Sequence, residues 1–555
     1  MTTVMAPGGW TRKGYWWLLA VMAAALIVRV VYLVSYSQLP DWDQLTVDNY
    51  YHHNWAQSIA DGNILGDTTY FRAPFYVWCL GLLYALFGAS LWVARVFGLL
   101  VGLASILMTY LIGRKLFSPT VGLLAALLHS LFPVMIYFES ELLLDPTFTL
   151  LLQLSVFQFL IWREKKTISS ALRLGLLLGL ACITRPTALV FAPAVILSIL
   201  FGLRSWRQRL FHVLVFGMGT LVFTGVVFAR NLAVARDPVL ISSQGGINLY
   251  IGNNEAADGI SAVLPEPLGH NWELREISFI AERDAGHSLK PGDVSGYWTR
   301  RAVSWIVDNP GAFLLLFLKK LYFSVSDRMI SNNRDLGSFF RSVPVLKHNP
   351  LSFGLIFALA IVAAVAALRR EYGVRLLVVL IVIYSFALSF FFFNSRFRLP
   401  VTPFYLLLAS FGVRLPVTAF RDDKRRLVIG VTFGVGAALL SFLPVYSLQP
   451  WVSPQALISK GLYFYSQGEI DRALSYHRLA LAVDSTFPEV NLNMGVCFFR
   501  QGDEDSARCY FEREARLHPL RAKSWVNLAS LELVNGRVDQ ALAYASRAVE
   551  KRPFD

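Results

Sequence analysis

Apolar runs of about 20 residues alternate with short basic loops over the first 446 positions. A helix needs roughly 20 apolar residues to cross the hydrocarbon of a bilayer, and in lipid a helix satisfies its own backbone. The pattern therefore predicts about eleven membrane-crossing helices. They are expected near 15–36, 92–112, 120–137, 142–161, 171–184, 187–203, 211–229, 352–368, 375–393, 400–415 and 427–446. Two more apolar stretches, 75–88 and 311–326, are short and flanked by polar residues. Both are expected as helices at or dipping into the interface.

The basic loops orient this bundle. Arg12-Lys13, Arg114-Lys115, Arg163 to Lys166, Arg204 to Arg209, Arg369 to Arg375 and Arg414 to Arg426 all fall on one side. The positive-inside rule makes that side cytoplasmic. The net charge of +14 is then loop bias and calls for no nucleic-acid partner. Three polar segments remain outside: 37–75, the turn Phe138-Glu139-Ser140-Glu141, and 230–350, which is expected to form a small helical cap. Composition agrees, with 55% hydrophobic and only 16% charged residues, against about a quarter charged in a soluble chain. The first apolar run has no small-residue cleavage site after it, so it reads as a retained helix.

Residues 451–555 change character. Gly468, Gly502 and Gly536 are 34 apart, as are Ala473, Ala507 and Ala541, and Gly461, Gly495 and Ala529. That is the period of tetratricopeptide repeats, with Trp525, Leu528, Ala548 and Pro553 fitting the third repeat. The domain reading is 1–415 membrane domain, 416–450 last helix and linker, and 451–555 repeats on the outer side. The array ends without a polar cap, so docking on the membrane domain or on another subunit is expected. Cys79, Cys182, Cys497 and Cys509 show no metal spacing and no disulfide framework. Cys497 and Cys509 are expected to turn away from the helix contact.

Candidate chemistry gathers on the outer side. Asp48 sits near the start of a helical pattern, Val47 to Ala60, with Tyr51, Trp55 and Ile59 on one face. It is either an N-terminal cap or a functional carboxylate. Arg72, Arg230, Arg396 and Arg398 map to the same side, and Arg185 lies in a turn between two spans. Arginine suits phosphate because its planar fork donates two parallel hydrogen bonds, and a carboxylate serves as general base. The competing reading for Arg396 and Arg398 is headgroup anchoring. Glu139 and Glu141 either support Asp48, hold a divalent metal, or end a solvated loop. Asp145, before Pro146, reads as a helix cap. His52 and His53 splay about 100° apart on a helix, a poor metal geometry, and no metal ligands are assigned. Ser242 to Asn254 reads as a Gly/Asn loop, either a packed external turn or a binder of sugar hydroxyls or phosphate. Tyr51 and Asn248 join the arginines as candidate substrate-binding residues.

Ordered motifs carry a resemblance. They are Asp48-x-x-Tyr51-His52, Trp55-Ala56, Ile59-Ala60-x-Gly62, Phe71-Arg72-Ala73-Pro74-Phe75-Tyr76, Thr184-Arg185-Pro186-Thr187, Arg230-Asn231, Ser243 to Asn248, Gly252-Asn253-Asn254 and Arg396-Phe397-Arg398-Leu399-Pro400. Over roughly 10–415 the chain resembles the bacterial branch of the dolichyl-phosphate-mannose protein mannosyltransferases, which are GT-C membrane glycosyltransferases. The resemblance implies an all-α GT-C bundle followed by a repeat solenoid. It implies sugar transfer, with inversion, from a polyprenyl-phosphate donor to a protein or glycolipid acceptor on the outer face of a bacterial inner membrane. It makes Asp48 the base, with Glu139 and Glu141 beside it. The family's usual Asp-Glu pair is Asp48-Asn49 here. A lipid-linked sugar flippase is the first alternative; it would show ionisable residues at mid-membrane depth, and the spans hold few, with Arg29 and Arg95 near their ends. A scaffold acting through its repeats is the second, and in either case the repeats are expected to recruit the acceptor or a partner protein.

Overall fold

The computed structural model describes residues 12–45, 47–265, 274–331, 336–419, 424–444, 454–519 and 521–551. Pro553 and most of the linker before the repeats lie outside the described residues. The chain is all-α. In the membrane domain the helices are α1 Arg12–Tyr36, α2 Val47–Ala60, α3 Phe75–Phe87, α4 Leu91–Leu116, α5 Pro119–Leu131, α6 Pro133–Ser140, α7 Asp145–Lys165, α8 Ile168–Cys182, α9 Ala192–Gly202 and α10 Trp206–Ala235. The cap region carries α11 Gly245–Gly252, α12 Leu274–Ala285, α13 Pro291–Asp308, α14 Pro310–Val325, α15 Leu336–Ser342 and α16 Pro344–Lys347. The bundle resumes with α17 Phe353–Ala367, α18 Tyr372–Leu388, α19 Thr402–Ala419 and α20 Lys424–Phe442.

Every expected span coincides with a helix, and the protein is a multi-pass membrane protein. Among the described residues four helices are individually long and apolar enough to cross, α1, α4, α10 and α20. Two bent pairs raise this to six. The expected straight span 120–137 is one of them. It breaks by 59° between α5 and α6, because Pro133 cannot donate the backbone bond that would continue α5. The other is α13–α14, bent by 107°, which the polar/apolar pattern assigned to the outside and the interface. Two positions reserved for single helices start as 3-10 turns, Pro186–Phe191 before α9 and Ser395–Val401 before α19.

Close backbone approach sets the packing. A Cβ on Gly102 of α4 would lie 2.2 Å from the Glu139 carboxyl carbon, and one on Gly175 of α8 would lie 2.1 Å from the Phe216 carbonyl of α10. The small residues let α6 and α10 lie directly on their neighbours, as glycine does between membrane helices.

The C-terminal part forms three helix pairs, α21 Pro454–Ser466 with α22 Ile470–Val483, α23 Val490–Gln501 with α24 Glu504–Leu517, and α25 Ala522–Val534 with α26 Val538–Lys551. The 34-residue period has a local cause. Gly468, Gly502 and Gly536 adopt φ of 79°, 81° and 70°, the left-handed turn between paired helices. Gly461 and Gly495 face the His477 and Phe511 rings closely enough that a Cβ would meet them at 2.4 and 2.5 Å. Cys497 is buried beside Phe464, Leu474 and Met494. It therefore turns away from the α23–α24 contact, as its spacing predicts, and lies between the first two repeats. Cys509 is exposed, and all four cysteines are free. The array docks on the membrane domain: α21 packs against the turn Pro40–Trp42, and Arg521 pairs with Glu276 of α12 at 3.4 Å, both side chains buried.

Candidate functional site

Asp48 is the second residue of α2, buried, with one carboxylate oxygen on each of two arginines. Oδ1 lies 2.5 Å from Arg72 Nη2, and Oδ2 lies 2.5 Å from Arg396 Nη1. Burial alone would raise the Asp48 carboxyl, but Arg72 and Arg396 outweigh it and hold it well below the usual carboxylate range. Cap and functional carboxylate were the two readings, and its oxygens face guanidinium groups rather than the α2 backbone. Tyr51 lies under Arg72, 4.7 Å from the guanidinium carbon to the ring centre. His52 Nδ1–H donates to the Leu142 carbonyl at 2.8 Å. Its pKa is lowered to about 3, first by burial and then by Arg72. A neutral ring with Nδ1–H directed at that carbonyl fits both facts.

The loop that carries Arg72 is held from behind by residues expected to bind substrate. Arg230 donates to the Leu65 carbonyl at 2.7 Å and to the Thr68 carbonyl at 2.5 Å, with its guanidinium 3.8 Å over the Tyr70 ring. Asn231 accepts from Tyr70 N at 3.3 Å, and Asp237 accepts from Thr69 Oγ1 at 2.7 Å. Ser243 N and Gln244 N donate to the Tyr70 and Phe71 carbonyls. The Arg230-Asn231 motif thus binds the protein's own loop. The expected Gly/Asn loop at 242–254 is mostly helix, α11, because Ile247, Tyr250 and Ile251 recur at helical spacing and are buried. Asn248 sits on α11 half-buried.

Arg396 and Arg398 diverge. Both lie in the 3-10 turn Ser395–Val401, capped by Asn394, whose side chain accepts from Arg396 N. At three residues per turn, positions two apart point about 120° away from each other. Arg396 reaches Asp48. Arg398 turns inward, donates to the Ser326 carbonyl at 2.7 Å and stacks 3.4 Å over the Phe353 ring. Arg398 is expected to hold a ligand phosphate; in the structure its Nη1 is taken up by the Ser324 and Ser326 carbonyls, away from the Arg396–Asp48 pair.

Asp145 was read as a cap and is more than that. It opens α7 without a capping side-chain bond, and its Oδ1 accepts from Arg185 Nη1 at 2.5 Å. Arg185 and Arg396 both lie against the Phe397 ring, 4.6 and 5.2 Å from its centre. Five charged side chains from five segments of the chain therefore form one cluster, Asp48, Arg72, Asp145, Arg185 and Arg396. Three guanidinium groups against two carboxylates leave it one positive charge in excess. The Nε atoms of Arg72 and Arg396 are buried without a partner. A carboxylate opening an apolar helix whose first turn carries Pro146 was the available signal for Asp145.

Glu139 and Glu141 do not meet Asp48. The turn 138–141, expected in solvent, is the buried end of α6. Glu139 is gripped by Arg29 through two bonds of 2.6 and 2.8 Å. Glu141 accepts from Asn49 and, at 3.2 Å, from Tyr36. Among the described residues no group of three or more His, Cys, Asp or Glu side chains comes together. Asp48, Asp145 and Glu139 each face an arginine, and Glu141 faces Asn49 and Tyr36, so no chemical step is assigned to a metal.

Residues 71–228 match the model of the dolichyl-phosphate-mannose-protein mannosyltransferase family. Residues 458–516 and 498–555 match tetratricopeptide repeats. None of the curated proteins compared with the chain matches it. Among solved structures, the chain is similar to the Archaeoglobus fulgidus oligosaccharyltransferase tethered with an acceptor peptide containing the NVT sequon, with 13% identity and a TM-score of 0.41 over 84% of this chain and 57% of that chain. It is similar to AglB from the same organism in complex with an inhibitory peptide and a dolichol-phosphate, with 14% identity and a TM-score of 0.38 over 89% and 60%. It is also similar to ArnT from Cupriavidus metallidurans bound to undecaprenyl phosphate, with 17% identity and a TM-score of 0.32 over 78% and 90%. The chain spans 57% and 60% of the length of those two oligosaccharyltransferase chains.

Proposed function

We propose that this protein is a glycosyltransferase of the bacterial inner membrane that moves a sugar from a polyprenyl-phosphate donor to an acceptor on the outer face. The observation that carries the reading is Asp48 held between Arg72 and Arg396. The family match over 71–228 includes Arg72 and Arg185 and supports it.

The geometry gives each group a task. With no donor present, two guanidinium groups make Asp48 a weak base. An arriving phosphate competes for the same arginines, and their unpartnered Nε donors add to its hold. Once the arginines turn to phosphate, the Asp48 carboxylate regains proton affinity beside the reacting centre. The acceptor oxygen attacks the anomeric carbon, its proton passes to Asp48, and the carbon–oxygen bond to phosphate breaks. The electron pair leaves with the lipid phosphate, which Arg72 and Arg396 stabilise. A single displacement of this kind inverts configuration. Asp145 keeps Arg185 and Arg396 in place around the leaving group.

The repeats lie on the same outer side, docked through Arg521 and α21. In this reading they present a protein partner or acceptor to the site. The test is transfer of label from a panel of radiolabelled polyprenyl-phosphate hexoses to an envelope extract by the purified protein. Label entering a macromolecular or glycolipid fraction supports the reading. A folded protein that binds the lipids and transfers none contradicts it and favours a carrier.

A further inference from the structure

Asn49 points away from Asp48 into a second cluster that the transfer scheme leaves unused. Its Nδ2 donates to Glu141 Oε2. A carboxylate only accepts, so the amide must turn its nitrogen to Glu141, and Oδ1 faces the other way. That oxygen is buried and has no partner. Arg95, from the first turns of α4, is 1% exposed. It lies 3.6 Å over the Trp42 ring and 4.8 Å over the Tyr36 ring, and its Nη2 donates to the Trp42 carbonyl at 2.6 Å. Its Nε and Nη1 are buried without partners. Tyr36 joins the two groups, its ring under Arg95 and its hydroxyl donating to Glu141 Oε1 at 3.2 Å, so they border one region.

Two features of this cluster argue against a purely structural role. The free acceptor of Asn49 and the free donors of Arg95 are complementary, yet they are not bonded to each other. Buried polar groups in folded proteins are nearly always paired. The cluster also holds one guanidinium and one carboxylate, so it carries no net charge and does not call for an anion. Its unmet atoms ask for a group that both donates and accepts hydrogen bonds, which is what a sugar hydroxyl does. Asn49 follows Asp48 directly, with Cα atoms about 3.8 Å apart and side chains about 100° apart around α2. A sugar whose phosphate lies on Arg72 and Arg396 therefore comes within reach of Asn49.

We propose that Asn49, oriented by Glu141, and Arg95 form the subsite for the sugar ring of the donor, and that they read its hydroxyl groups. The proposal rests on the functional reading above. In it, Asn49 Oδ1 accepts from one hydroxyl and Arg95 donates to another, while the phosphate is held elsewhere.

The test separates sugar from phosphate. Full-length protein in detergent is titrated with undecaprenyl phosphate and with undecaprenyl-phosphate glucose, mannose and galactose. Wild type is expected to bind one glycosylated lipid more tightly than the bare phosphate lipid. Asn49→Ala is expected to lose about tenfold of that preference and to keep its affinity for the bare lipid. Arg95→Lys keeps the charge, loses donors, and serves as the second variant if Asn49→Ala unfolds. Arg396→Ala is expected to weaken both lipids alike. A wild type without preference for any of the three sugars, or variants that keep the preference, overturn the subsite. A wild type that binds no polyprenyl phosphate at all overturns the functional reading instead.

Discussion

Asp48 Oδ2 and Arg396 Nη1 lie 2.5 Å apart across 348 residues of sequence. The first comes from the start of α2, the second from the turn before α19. The contact joins the two ends of the membrane domain at one buried point. Its partner on the other oxygen, Arg72, makes the arrangement a carboxylate between two cations.

Arg396 and Arg398 are two residues apart and should behave differently. Arg396→Ala should leave the protein folded and weaken binding of polyprenyl phosphate by tenfold or more. Arg398→Ala removes the donor to the buried Ser326 carbonyl and should cost about 2 kcal/mol of stability. Lipid binding and thermal unfolding, measured on both, separate the roles. Equal loss of binding in both variants would contradict the divergence.

His52 makes stability depend on pH. Its pKa of about 3 in the folded protein lies below the ordinary histidine value. The unfolded chain therefore takes up a proton first as pH falls. The stability from the neutral ring is present above about pH 6.5 and is lost progressively from there toward pH 3. His477 and His518, both lowered to about 4 by burial first, act in the same direction within the repeats. His52→Gln should unfold at a temperature less sensitive to pH between 7 and 5 than wild type, by a difference on the order of 1–2 kcal/mol. Parallel curves for the two proteins would show that His52 is not held neutral.

Much of this was legible in sequence, and the rest was hidden for physical reasons. Helix positions follow from apolar length, and the repeats from Gly468, Gly502 and Gly536. Asp48, Arg72, Arg185 and Arg396 were named from motif order and side of the membrane. Arg398 and Arg230 carry the same signals and prove to bind the protein's own backbone. A motif tells that an arginine is needed, and the 3-10 turn alone tells which way it points. Asp145, Asn49 and Arg95 were missed as partners because their significance lies in pairing across distant loops. The break at Pro133, which buries Glu139, moved a presumed solvent turn into the bundle.

Glycines at close approaches should be separable from glycines in open space. Gly102→Ala brings a Cβ within 2.2 Å of the Glu139 carboxyl and should destabilise by 2 kcal/mol or more, an order-of-magnitude figure for overpacking. Gly225 of α10 has nothing within 4 Å, so Gly225→Ala should be neutral or stabilising by up to about 1 kcal/mol through helix propensity. Thermal unfolding of the two variants gives the comparison, and equal effects would contradict the Glu139 contact.

The repeats should be held by charge as well as by packing. Glu276→Arg should loosen the array, seen as faster proteolysis between the membrane domain and the repeats. The double variant Glu276→Arg with Arg521→Glu should restore most of the protection. If the double variant is as open as the single one, the pair does not dock the array.

The most direct test of the central claim is the pair of values, transfer rate and lipid binding, for Asp48→Asn. The substitution keeps shape, removes the base and releases both arginines. It should lower transfer by about 10²–10⁴-fold, while affinity for bare polyprenyl phosphate stays the same or rises. Transfer within tenfold of wild type, or lipid binding lost together with transfer in a folded variant, would contradict the account of Asp48 as a base held between two phosphate-binding arginines.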